Sequence, residues 1–206
     1  MSTTSYVLQL DTELSAVNSI LGSIGQAPIT DLQFENPEIS FVYRIFQDTI
    51  LDVLSEGWSF NTFYDVELTP DDDKYVWVPD NILKIDSSTN SYDRTTDFIA
   101  TGKKLYDKYN QTDQFDDPVT VTYLQAVEWE DIPVVFKRYI ISRASARAAT
   151  QLVTNRELVA LLASQESYLR ASCVEFECNQ GDYSYMGTPN GTIYQSYIPF
   201  NATRRY

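Results

Sequence analysis

Apolar residues recur at helical spacing at both ends of this chain and at strand spacing through its middle. Leu14, Val17, Leu21 and Ile24 share one face of a first predicted helix. Asp11 or Thr12 is placed to cap its start, and Gly25 with Pro28 stops it. A second helix is punctuated more fully. Asn36 is a good cap, Pro37 suits the first helical position, and Ile39, Val42, Phe46, Ile50 and Val53 form an apolar stripe that runs on to Gly57. At about 1.5 Å per residue, Pro37 to Glu56 spans about 30 Å, so this helix needs a partner along its length.

From Trp58 the period falls to two. Phe60, Thr62, Tyr64, Val66 and Leu68 alternate with Asn61, Phe63, Asp65 and Glu67. Further β-rich segments follow at Tyr75-Val76-Trp77-Val78, Ile82-Leu83-Lys84-Ile85, Asp97-Phe98-Ile99-Ala100 and Val119-Thr120-Val121-Thr122-Tyr123-Leu124. Thr69-Pro70-Asp71-Asp72-Asp73 reads as a loop and Gly102-Lys103 as a hairpin turn. The pattern predicts a small, mainly antiparallel sheet of about five to seven short strands between residues 60 and 126.

Helical period returns after Trp129-Glu130-Asp131-Ile132-Pro133. A third helix is predicted from Pro133 to about Thr150, with Ile141, Ala144, Ala148 and Leu152 on one face and many small residues that allow close helix approach. Thr154-Asn155-Arg156-Glu157 has the form of a capping box, which predicts a fourth helix from Asn155 to about Glu177. The fold class expected is therefore α+β. N- and C-terminal helix pairs, residues 1–58 and 130–180, form a discontinuous four-helix bundle, and residues 59–129 form an inserted β domain. Residues 181–206 carry Tyr183, Tyr185, Tyr194, Tyr197, Phe200 and Tyr206 among glycines and prolines, a mixture that builds neither a long helix nor a core of its own. An aromatic arm that orders along a partner and a plain disordered tail are the two readings of that segment.

Composition narrows the chemistry. The chain has 206 residues, 43% of them hydrophobic, which is enough for a sizeable core without disulfides or metals. No apolar run reaches membrane-spanning length, and the polar start lacks the features of a signal peptide, so a cytosol-like compartment is expected. Cys173 and Cys178 sit five apart, about 140° from one another on a helix, which suits neither a disulfide nor a metal pair. Histidine is absent, and with it Ser-His-Asp, Cys-His and His-metal chemistry within one chain. Net charge is -14, unevenly distributed: residues 1–131 hold 24 acids and 7 bases, residues 132–206 hold 5 acids and 8 bases. An acidic body argues against sequence-specific DNA binding, yet suits a channel wall along which DNA slides without sticking.

Several segments resemble one family in order along the chain. Glu13-Leu14-Ser15-Ala16-Val17-Asn18, continuing through Ile20-Leu21 and Ile24-Gly25, resembles the opening of the tail tubular protein A family, head-to-tail adaptors of short-tailed bacteriophages. Gly57-Trp58-Ser59-Phe60-Asn61 resembles the step with which those proteins leave their second helix. Tyr106-Asp107-Lys108-Tyr109 through Asp113-Gln114-Phe115-Asp116 resembles their Tyr-Asp-Arg-Thr-x-x-x-Asp-x-Phe-Asp segment, with Lys108 and Tyr109 in place of Arg and Thr. Glu130-Asp131-Ile132-Pro133 is similar to their lead into the third helix. The resemblance implies a structural virion protein of the phage tail, made in the bacterial host cytoplasm, that needs no cofactor. It implies a twelve-subunit ring bound to the portal protein above and to the tail nozzle protein, tail tubular protein B, below, with a central channel through which DNA passes without specific binding. Tail fibre proteins are further candidate partners at that junction. The aromatic residues from Tyr183 to Tyr206 are then the candidate portal-contact arm.

Two other classes compete. Glycan hydrolysis, credited to some tail tubular A proteins, needs two carboxylates about 5–10 Å apart across a cleft, one often with a raised pKa. The acids at Asp71-Asp72-Asp73, Asp116-Asp117 and Glu128-Glu130-Asp131, with Trp58, Trp77 and Trp129 for sugar stacking, are the residues such an activity would use. An acidic, DNA-mimicking binding module has the right sign of charge but no phosphate-like spacing. Arg143 and Arg147, one helical turn apart, lie in a stretch with no acid between Ile132 and Asn155, and need carboxylates from elsewhere. The second helix of the same chain, a neighbouring subunit and DNA's phosphates are the three available destinations.

Overall fold

The computed structural model describes residues 12–32, 36–87, 97–153 and 155–180. Its contacts divide the chain into two compact units, one of residues 1–56 with 127–176 and one of residues 57–126 with 177–206, described through 180.

The first unit is helical. α1 (Glu13–Ser23) starts at Thr12, whose hydroxyl accepts a bond from the Ser15 N–H at 3.3 Å, and ends before Gly25, which takes a left-handed φ of 79°. Asn18, on the flank of α1, clamps the chain beyond it: its side chain donates to the Ile29 carbonyl and accepts from the Ile29 N–H. α2 (Pro37–Leu54) has Asn36 as cap, accepting from Glu38 N–H, and Pro37 in the first turn, as its sequence predicts. It buries Val42, Ile45, Phe46, Thr49, Ile50, Val53 and Leu54.

α3 (Val134–Ala148) packs on both α1 and α2 and is buried almost all round, with Phe136, Tyr139, Ile140, Ala144 and Ala148 inside. Small residues at Ser142, Ala144, Ser145 and Ala148 are what let two helices approach it closely. The predicted stripe holds through Ala148 and fails at Leu152, which is 41% exposed. The cause is a π-helical turn over Ala149–Val153, which adds a residue to the last turn and rotates Leu152 off the face.

α4 (Arg156–Gln180) is capped by Asn155, whose side chain accepts from the N–H groups of Glu157 and Leu158. Thr154, given that task by the capping-box pattern, lies outside the described residues. Of its 25 residues only Leu162 and Cys173 are buried. Leu158, Val159 and Leu162 seat against Ala146 and Ala149, and Phe176 meets the Phe136 ring edge-on at 5.9 Å. The packed centre of this unit is thus α1, α2 and α3, with α4 contributing one edge.

The second unit is mainly antiparallel β. β1 (Thr62–Leu68), β2 (Ile82–Ser87), β3 (Phe98–Thr101), β4 (Lys104–Asp107) and β5 (Val119–Gln125) form a three-stranded sheet, ordered β1-β5-β2, and a β3-β4 hairpin turning at Gly102. β1 pairs Phe63 with Tyr123 and Val66 with Val121, and the bulge between them holds Asp65 at φ 51°. Val76, Val78, Ile85, Phe98, Leu105, Val121 and Tyr123 make the core. Tyr75-Val76-Trp77-Val78 alternates as a strand should, yet makes only isolated bridges, Tyr75 to Gln114 and Trp77 to Lys104. Its two ends bond to different stretches, the Lys74 carbonyl to Phe115 N–H and Val78 N–H to the Lys103 carbonyl, so no one strand runs beside all of it.

Candidate functional site

Four charged side chains and a tyrosine on α2's end, α3 and α4 form the densest polar cluster of the helical unit. Glu56 accepts from Arg143 at 3.0 Å and from Arg170 at 2.8 Å. The Tyr139 hydroxyl, on a residue 1% exposed, accepts from the same two guanidinium groups at 3.1 and 3.0 Å. Glu166 stands 3.8 Å from Arg143 Nε. One turn on, Arg147 donates to Asp52 at 2.6 Å and to the Thr49 hydroxyl at 3.2 Å. Burial alone would lower the pKa of Arg143, and its bonds to Glu56 and Tyr139 more than reverse that, while Arg170 is raised chiefly by Glu56. The cluster ties three segments remote in sequence and so acts as a brace.

Arg143 and Arg147 thus find carboxylates on the same chain, at the second helix and just beyond it. Replacing both by Gln is expected to lower the stability of the isolated chain by about 2 kcal/mol. Charged hydrogen bonds contribute about 1.5–3 kcal/mol each, and the half-exposed Asp52 partner reduces that. Thermal melting of the isolated variant checks this. A variant that melts like the parent but fails to assemble would assign both residues to contacts between copies.

The segments that resemble the tail tubular A proteins carry residues with local folding roles. Gly57 adopts φ 79°, a left-handed conformation that calls for glycine, and a Cβ there would sit 3.2 Å from Leu124 Cδ2, which would have to yield slightly. Asn61, fully buried, accepts from the Trp58 N–H and donates to the Gln125 carbonyl, pinning the start of β1 to the end of β5. Asp107, 4% exposed, accepts from the N–H groups of Tyr109 and Asn110 and from the Asn110 side chain, closing the turn after β4. Phe115 then packs edge-on against Phe98 at 6.0 Å.

Asp71 and Asp116, one from each of two acidic clusters, are held by short polar contacts. Asp71 accepts from the Trp77 indole at 2.7 Å and from the Tyr75 and Asp73 N–H groups, and the Trp77 bond first of all holds its pKa low. Asp116 is likewise held low by Lys74, 2.6 Å away. These bonds favour the ionised form of both carboxylates, the form a glycan-cleaving pair needs in its nucleophile or base but not in its acid. Asp65, Asp107, Asp116 and Asp117 line an open groove of about 730 Å³ beside Phe98 and Phe115. Trp129 is core, its ring edge-on to Phe46 at 4.9 Å, and Trp58 is buried too. Trp77 is 52% exposed. Cys173 is buried, its thiol pushed up to about 11 by desolvation, and Cys178 is exposed. The aromatic residues Tyr183, Tyr185, Tyr194, Tyr197, Phe200 and Tyr206 lie outside the described residues.

Comparison with known families matches residues 14–183 to the tail tubular protein model, a stretch that runs through both units. The chain belongs to the tail tubular protein family. Tail tubular protein A of Klebsiella phage KP34 is 29% identical over 123 residues, which cover 59% of this chain and 62% of that protein. The chain thus spans under two thirds of the length of this curated relative. Family membership makes it a structural component of the phage tail, in keeping with a site made of braces and turn closures. No described helix is long and apolar enough to cross a membrane.

Proposed function

We propose that this tail tubular protein is the head-to-tail adaptor of its phage: a twelve-subunit ring that joins the portal to the tubular tail nozzle and lines the DNA channel. The observation that carries this reading is the family match through both the helical and the β unit. The finer architecture follows from the same reading. The four helices act as a bundle-like wedge repeated round the ring, with the Glu56, Arg143 and Arg170 brace keeping each wedge rigid under the load of DNA ejection. The β unit and the residues after Gly181 supply contacts above and below. Acids that outnumber bases by 24 to 7 over residues 1–131 keep the channel wall from gripping phosphate.

An adaptor must hold two partners at once. Portal protein and nozzle protein are expected to migrate as one complex in size-exclusion chromatography only when this chain is added. Binding of one partner with exclusion of the other would overturn the reading.

A further inference from the structure

The groove in the β unit carries more acid than the residues around it answer. It encloses about 730 Å³, the size of a small-ligand site rather than of a lone ion. Phe98 and Phe115 give it an apolar wall, and Asp65, Asp107, Asp116 and Asp117 line it with no basic residue among the described ones. Lys74 reaches Asp116 from outside the lining, while Asp117, exposed, has no ion pair among the described residues. Carboxylates beside aromatic rings suit guanidinium groups, which pair with the first and stack on the second. Residues 88–96, between the groove's Ser87 and Phe98, hold Asp93 beside Arg94 and bring no net charge to it.

A basic segment of the right kind lies in the same chain. From residue 181 to 206 the charged side chains are Asp182 at the start and the adjacent Arg204 and Arg205, with Tyr206 after them. The root of that segment is fixed beside the strands, where Glu177 accepts from the Ser59 N–H and hydroxyl, both at 2.9 Å. Val119 and Thr120 of the groove pair with Leu68 and Glu67, at the far end of β1 from Ser59, so root and groove stand roughly 25 Å apart along that strand. Arg204 is 24 positions beyond Gln180. A flexible chain of that length has a root-mean-square span of roughly 25–30 Å, which brings the local concentration of its end at the groove near its maximum. We propose that Arg204, Arg205 and Tyr206 dock in the acidic groove of their own chain, the guanidinium groups against its carboxylates and the tyrosine against its apolar wall. The segment from Tyr183 to Phe200 then becomes a loop held at both ends, with part of its ordering cost met before it meets a partner. The latch needs no partner; its use, presenting those aromatic residues to the portal, rests on the adaptor reading.

The test is trypsin, which cuts after Arg204 and Arg205, followed by intact mass of the full-length chain in the absence of portal. Loss of the last residues should be at least about threefold slower in the parent than in a free peptide of residues 201–206. A chain carrying Asp116→Asn and Asp117→Asn should be trimmed at the peptide's rate and melt within about 2 °C of the parent, because both carboxylates are exposed. Salt at about 1 M should abolish the protection in the parent as well, since it screens the pairing without changing the chain. Trimming of the parent at the peptide's rate would overturn the latch. So would protection that survives both salt and the Asp variants, or protection that rises with protein concentration, which would put the end on a second copy. Failure of the parent to assemble on the portal would instead overturn the adaptor reading and leave the trypsin result standing.

Discussion

Phe46→Ala is expected to destabilise the helical unit by about 3–5 kcal/mol, a large part of the roughly 5–15 kcal/mol that holds a folded domain. Phe46 is wholly buried on α2, edge-on to Trp129 at 4.9 Å and 6.3 Å from the Tyr43 ring. Truncation removes its apolar transfer energy, two aromatic contacts and the filling of a site walled by α2, the Trp129 segment and α3. The surrounding helices are fixed by the Arg147 and Arg143 pairs, so the cavity can collapse only in part. Urea denaturation of the isolated chain should show the midpoint falling with little change of slope. Phe41→Ala on the same helix, at 38% exposure, should cost well under half as much. Equal losses for the two would contradict the core described for this unit.

Removal of residues 182–206 should leave melting unchanged and abolish docking to the portal. Every buried apolar residue of both units lies at or before Cys173 among the described residues, so the deletion removes none of the described core. What it takes is Tyr183, Tyr185, Tyr194, Tyr197, Phe200 and Tyr206, large amphipathic side chains of the kind that concentrate binding energy at interfaces. The family match stops at residue 183, so this role is argued from the chain's own composition. Portal binding by the truncated chain equal to that of the parent would return the segment to a plain tail.

What the sequence made legible was local. Asn36, Pro37 and Gly57 act within a turn of where they sit, so α2 could be read from its own residues, and the alternation around Val66 and Val121 marked strands in the same way. What escaped depends on partners far along the chain. The order β1-β5-β2 brings residues 62–68 beside 119–125, a pairing that alternation does not specify. The strand expected at residues 75–78 shrank to single bridges because its ends pair with different stretches, at Gln114 and at Lys104. Spacing showed that Arg143 and Arg147 needed acids, but not that Glu56 would be shared with Arg170, 27 residues beyond Arg143. Asn18, Asn61 and Asp107 look like ordinary surface polar residues until their backbone partners are known.

The central claim is that copies of this chain close into a ring on the portal. Mass measurement of the chain alone, and of the complex purified after mixing with portal protein, tests it most directly. The adaptor reading predicts a monomeric or weakly associating free chain and twelve copies bound per portal ring; a stable one-to-one or six-copy complex would contradict it.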